Sequence, residues 1–149
     1  MVNDSPAIGY LVKNVQSLLR LRMEEALKPL ELTVSHYSSL FRLHLEPGIS
    51  AAELARATFV TRQSMNEMLQ TLLDRGLVER AAVASTGRAL PVTLTAAGAT
   101  ALARAQVAVD TVESRMLARL TPAETSALAH ALASCAAALE QPSADAASE

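Results

Sequence analysis

The chain has 149 residues, half of them apolar, which is enough for one domain with a real core and excludes a short peptide or a wholly disordered chain. A formal charge of -2 argues against coating nucleic acid through bulk electrostatics, and 3% aromatics without tryptophan argue against stacking platforms for single strands. One cysteine, Cys135, rules out an intrachain disulfide, and no cysteine or histidine cluster has zinc-ligand spacing, so neither a metal nor a cofactor is expected.

In chain order, Ser5 and Pro6 suit an N-cap and a first helical residue. Ile8, Val12, Val15, Leu19, Met23 and Ala26 then recur every three or four residues, predicting a first helix that ends near Lys28 and Pro29. Leu11 and Leu18 add a second stripe, so this helix is expected to touch more than its own core. Thr33 is placed to cap a second helix with Val34, Tyr37, Leu40, Phe41 and Leu45 facing inward, stopped by Pro47 and Gly48. Ser50 with Glu53 forms a capping box for a short helix, AAELARA. Thr61 can cap a fourth helix whose buried face is Met65, Met68, Leu69, Leu72 and Leu73, closed by Gly76.

Two β-type runs, LVERAAV and LPVTL, flank ASTGR, whose Gly87 suits a hairpin tip; Pro91 has no N–H to donate, which places its strand at an edge. Thr95 opens a long helix with a seam of Leu102, Ala105, Val109, Val112, Met116 and Leu120. Thr121 and Pro122 with Glu124 open a last helix lined by Leu128, Ala131, Leu132, Cys135 and Leu139. Of 29 alanines, 23 follow residue 80, which favours close approach of helix backbones there. The polar tail QPSADAASE reads as disordered. The N-terminus lacks a signal-peptide pattern, and the longest apolar run, ALASCAAAL, is too short for a bilayer, so a soluble cytoplasmic protein is expected.

This order of elements predicts a mainly α fold with a small β-hairpin wing: a winged helix-turn-helix between terminal helices. Charge supports that division, since residues 56–90 carry five Arg against three acids and residues 91–149 three Arg against six acids. A helix-turn-helix puts the N-terminal residues of its second helix into the major groove, where Arg, Asn and Gln pair with base edges. Arg62, Asn66 and Gln70 are spaced by four, with Gln63 and Ser64 in the first turn, and Thr61 with the free N–H groups there suits a phosphate. Such a face taken alone is no more than a solvated surface. The capped short helix before it and the Gly-Arg hairpin after it favour DNA, with Arg88 long enough for phosphate or the minor groove.

The segments LTVSHYSSLFRL, ISAAELARATFVTRQSMNEMLQTLLDRGLVER and GRALPVTLTAAG, in this order and spacing, resemble the MarR family of winged-helix transcriptional regulators, and the likeness runs from IGYLVKNVQSLLR to about residue 139. The resemblance implies an obligate homodimer joined through a helical region at 1–32 and 95–140. It also implies a DNA-binding region at 33–94, with a recognition helix at 61–75 and a wing at about 77–94, and a ligand crevice between the dimer helices and the DNA-binding lobe. Residues 141–149 are left as the tail. Family wings carry an Asp two residues before the wing arginine; here Thr86 stands there and cannot form that ion pair.

The expected function is a sequence-specific regulator of double-stranded DNA at a palindromic operator, a repressor released by a small lipophilic or aromatic ligand, with no membrane partner. Tyr10, His36 and Tyr37 are the candidates to line the effector crevice, although core packing competes for Tyr37 and a capping or surface role for His36. Redox-sensing relatives carry their cysteine in the N-terminal region, whereas Cys135 lies on an Ala-rich helix, where a thiol is inert packing. Two rivals remain: a winged-helix module used only for protein interaction, and an enzyme. His36, His44 and His130 have no adjacent acid or nucleophile and there is no phosphate-binding Gly loop, so no catalytic residue is expected.

Overall fold

The structure, a computed structural model, describes residues 7–81 and 91–140. The chain falls into two compact units, the first running to Glu113 and the second from Ser114.

Helix α1 spans Ile8–Leu27 with Ala7 at its N-cap, so the described helix opens after the expected Ser5 and Pro6, which lie outside the described residues. A 3-10 turn, Lys28–Leu30, follows, and Glu31 takes a left-handed conformation with φ 56°. Helix α2, Val34–Leu45, is capped by Thr33 through a full capping box in which the N3 side chain is His36. Helix α3, Ala51–Ala57, has the expected Ser50–Glu53 box. The Glu53 carboxylate accepts from the Ser50 N–H at 3.0 Å and from its hydroxyl at 2.8 Å, bonds that hold its pKa below the usual value. Helix α4, Arg62–Asp74, starts at Thr61, whose hydroxyl accepts from the Ser64 N–H at 3.1 Å, and ends before Gly76 at φ 69°.

Strands β1 (Val78–Arg80) and β2 (Val92–Leu94) pair antiparallel, with Val78 opposite Leu94 and Arg80 opposite Val92. Pro91 precedes β2 and uses only its carbonyl, accepting from the Ala81 N–H at 2.9 Å. Helix α5 covers Ala96–Leu117 and helix α6 Pro122–Glu140. The expected seam of α5 therefore overran by three residues: the helix stops at Leu117, and Leu120 belongs to the turn before the Thr121–Glu124 cap.

The core lies in the first unit. Leu27, Leu40, Leu43, Leu54, Met65, Leu69, Leu72 and Val92 are all but inaccessible, which joins α2, α3, α4 and β2 around the end of α1. Leu102 and Ala105 of α5 complete it. The inward face assigned to α2 needs correction. Phe41 and Leu45 are 39% and 55% exposed, whereas Leu43 and Ser39 are buried. The reason is that α2 is covered by α1, α3 and β2 and meets α4 where the Ser39 hydroxyl donates to Met68 Sδ at 3.2 Å, so the buried apolar set is Tyr37, Leu40 and Leu43, three residues apart. Phe41 and Leu45 fall on the neighbouring stripe.

Apolar residues at both ends of the chain remain uncovered. Ile8, Leu11, Val12, Val15 and Leu18 of α1 are exposed, and no residue of α6 is buried. No helix among the described residues is long and apolar enough to cross a membrane.

Candidate nucleic-acid interface

Two local devices shape the exposed end of α4. The Thr61 hydroxyl satisfies the Ser64 N–H and also donates to Ser64 Oγ at 3.0 Å, so both groups are tied into the cap. The first backbone N–H groups of the helix have no intrahelical acceptor and point out of its N-terminus. On the opposite side of the cylinder Met65, Leu69 and Leu72 are buried completely, which fixes the rotation of α4 about its own axis. At about 100° per residue, Asp74 and Glu67 point most directly away from that core, followed by Gln63 and then Gln70. The row Arg62, Asn66, Gln70 slants across this face instead of running straight down its centre; Arg62 sits at its edge. All of Thr61, Arg62, Gln63, Ser64, Asn66 and Gln70 are exposed.

The far end of α4 is anchored. Arg75, its C-cap, donates to the Glu31 carbonyl at 2.6 Å, and the Leu77 N–H donates to the Leu72 carbonyl at 3.0 Å as the chain turns into β1. The entry turn carries a feature that the sequence reading missed. Phe59 has φ 57°, a left-handed backbone that a bulky side chain adopts rarely, and its side chain is 97% exposed. A glycine at this turn would have announced the conformation; phenylalanine conceals it.

Phe59 stands at the rim of a cleft of about 350 Å³ between this turn and the outward stripe of α2, walled by Tyr37, Phe41 and Leu45 with Ser38 and Arg42. Tyr37 and Phe41 stack with ring centroids 6.0 Å apart. The Tyr37 hydroxyl donates to Gln106 Oε1 at 2.8 Å, and Gln106 Nε2 donates to Asp110 Oδ1 at 2.7 Å, so the cleft wall is tied to α5. Burial raises the Tyr37 pKa, with the Asp110 and Glu113 carboxylates adding to the rise. Arg42 pairs with Glu46 at 2.6 Å, yet its Nε is buried and has no acceptor among the described residues.

The three residues expected to line an effector crevice are not brought together. Tyr37 is in the cleft. His36 points elsewhere: its Nδ1 accepts from the Thr33 N–H at 3.2 Å, completing the α2 cap, and burial together with the nearby Arg75 lowers its pKa against the opposing pull of Glu24. Tyr10, two-thirds exposed on α1, lies outside it as well. Arg88 and Thr86 fall outside the described residues. Cys135 is exposed in the single chain, as are nearly all the residues of α6, none of which is buried.

The MarR family sequence profile matches residues 30–89, which take in α2, α3, α4 and β1. The HTH-type transcriptional repressor Rv2887 of Mycobacterium tuberculosis is 46% identical over 121 residues, 81% of this chain and 86% of the relative. The chain belongs to the MarR family. Crystal structures of the same M. tuberculosis protein superpose on this MarR-family chain with a TM-score of 0.75. One is a complex with salicylic acid, at 41% identity over 91% of this chain and 99% of that one. The other is a complex with DNA, at 37% identity over 88% and 98%. The expected winged helix-turn-helix therefore holds for this MarR protein, with α3 and α4 as the helix-turn-helix and the β1–β2 pair as the base of the wing.

Proposed function

We propose that the protein is a homodimeric, sequence-specific regulator of transcription that binds a palindromic operator in double-stranded DNA, acts in the cytoplasm as a repressor, and is released by a small aromatic ligand. One observation carries the DNA reading. The capped N-terminal end of α4 presents Arg62, Gln63 and Asn66 to solvent on a helix whose opposite face is locked by Met65, Leu69 and Leu72. Those side-chain types match base edges in the major groove, and the helix N-terminus with Thr61 and Ser64 suits a phosphate. Gln70 extends the reading face, and Arg88, outside the described residues, is assigned by residue type to phosphate or the minor groove. Residues 33–94 form the DNA-binding part, and residues 1–32 and 95–140 the dimerisation part. The uncovered apolar surfaces of α1 and α6 support that division.

For the effector, the relative's salicylic acid complex supports a small aromatic acid, and the α2 cleft offers stacked Tyr37 and Phe41 beside an Arg42 Nε that lacks an acceptor. A carboxylate in the cleft would be drawn to the Arg42 guanidinium. Arg42 and Phe41 join Tyr37 as candidates in this cleft, and Tyr10 and His36 are kept as candidates for the crevice that a dimer would form. Selection of bound genomic fragments by the purified protein, followed by footprinting, tests the DNA reading: a protected palindrome with two half-sites about one helical turn apart is expected. Binding no tighter than to random competitor at low ionic strength would leave only a protein-interaction role. Salicylate titrated into the operator complex should release wild-type protein, and Arg42→Ala should need a higher concentration.

A further inference from the structure

Near the C-terminal end of α4, Gln70 Nε2 donates to Asp74 Oδ1 at 2.8 Å, both residues being exposed. A carboxylate has only acceptors to offer, so turning the amide over would set Gln70 Oε1 against Asp74 Oδ1. The carbonyl end of the amide is thereby kept on the side away from Asp74.

Asp74 is otherwise hard to account for. It is the last residue of α4, where the negative end of the helix dipole disfavours a carboxylate, and on a DNA-binding face it would repel phosphates. Its neighbour Arg75 is not its hydrogen-bond partner, since that guanidinium donates to the Glu31 carbonyl at 2.6 Å. What Asp74 does achieve is the orientation of Gln70.

We infer that Asp74 is a positioning residue that makes Gln70 present an acceptor to the major groove, so that the base it faces carries an exocyclic amine, adenine or cytosine, in preference to guanine or thymine. Adenine offers N6–H and cytosine N4–H to that oxygen. Guanine O6 and thymine O4 are acceptors and would face it with no proton between. Every base pair has one amino and one keto partner in the major groove, so the device reads which strand carries which at a single position. The inference rests on the proposed DNA-reading role of α4.

The test is an operator selection from a random duplex pool with the full-length protein, run in parallel for wild type, Gln70→Ala and Asp74→Asn. Gln70→Ala should erase the preference at one position in each half-site, and the wild-type preference at that position should be A or C. Asp74→Asn supplies both a donor and an acceptor, so the Gln70 amide can turn, and the amino-over-keto preference there should fall from about tenfold to about twofold. The other positions should keep their order. A change of helix stability or of overall charge would move affinity for all sequences and leave that ratio alone. Preference for G or T at the Gln70-dependent position, no position dependent on Gln70, or an unchanged ratio in Asp74→Asn would each overturn the inference while the DNA reading stands. Recovery of no consensus by wild type would overturn both.

Discussion

Gly98 offers the sharpest test of the packing that holds the recognition helix to the long helix. The first turn of α5 is pinned to the segment leaving α4: the Thr95 hydroxyl donates to the Gly76 carbonyl at 2.6 Å, the Thr95 N–H donates to the Leu77 carbonyl at 3.1 Å, and the Gly98 N–H donates to Thr95 Oγ1 at 3.0 Å. A Cβ on Gly98 would lie 1.9 Å from the Leu77 carbonyl oxygen and 2.9 Å from its carbon. Reaching even a close carbon–oxygen contact requires an opening of about 1.5 Å. Both partners are main chain, and Leu77 is held from its other side by its N–H bond to Leu72. Gly98→Ala should therefore cost about 1–3 kcal/mol for overpacking. Disturbing the bond to the Leu77 carbonyl adds about 1–3 kcal/mol. The better helix propensity of alanine returns up to about 1 kcal/mol. The net is about 3 kcal/mol, or a fall of about 10 °C in Tm for a chain of this length. Thermal denaturation at one fixed protein concentration measures it, with Gly9→Ala as the control. No neighbour stands within 4 Å of a Cβ at Gly9, so that variant should match wild type or exceed it slightly. A Gly98→Ala variant melting within about 2 °C of wild type would refute the close approach.

Four further outcomes are expected. Arg62→Ala should weaken operator binding by about 1–3 kcal/mol and relax specificity at one position, in a gel-shift titration against a panel of operator variants. Operator affinity of the wild type should also fall steeply with salt, as contacts from arginine to phosphate release counterions, and a flat dependence would count against phosphate contact. Phe59→Gly removes a left-handed non-glycine residue and should raise stability by up to about 1 kcal/mol in urea unfolding; a loss would mean that the exposed ring is packed in solution. The His36 pKa is lowered from 6.5 on folding, so the unfolded chain binds the proton more tightly, and stability is full above 6.5 and falls as pH drops through the lower folded value. His36→Gln should flatten that slope when urea midpoints are compared across this range, since it has no proton to gain.

What the sequence made legible were interactions closed within four residues. The Ser50–Glu53 and Thr121–Glu124 boxes, the Thr61 cap and the Gly76 stop each need only their own neighbours, and each stands where the spacing placed it. The buried stripe of α4 was legible for a related reason, since one side of that helix alone is covered. Helix α2 was not, because it is covered by α1, α3 and β2 and bordered by the cleft, and a stripe of Phe41 and Leu45 reads as core when nothing in the sequence says which side is occupied. His36 shows the same limit in reverse. Its ring completes a local cap, which the residue type does not advertise, and this fixes it away from Tyr37, its neighbour in sequence. Gly98, Phe59 and the unmatched Arg42 Nε depend on groups from other elements, and no spacing rule reaches them.

A negative chain that reads DNA is less paradoxical when specificity is treated as a ratio. Attraction of arginines to phosphate strengthens binding to every duplex alike, and the competing sites in a genome are vastly more numerous than the operator. Glu67 and Asp74, both exposed on α4, subtract from that indiscriminate part wherever the helix docks. On the proposed reading, hydrogen bonds from Arg62, Asn66 and Gln70 to base edges form only where the bases match, so they are lost at a wrong site while the repulsion remains. On the proposed reading, the acidic residues of the recognition helix lower absolute affinity and leave the difference between right and wrong sites intact. The net charge of -2 is then compatible with a DNA reader whose discrimination resides in one helix face.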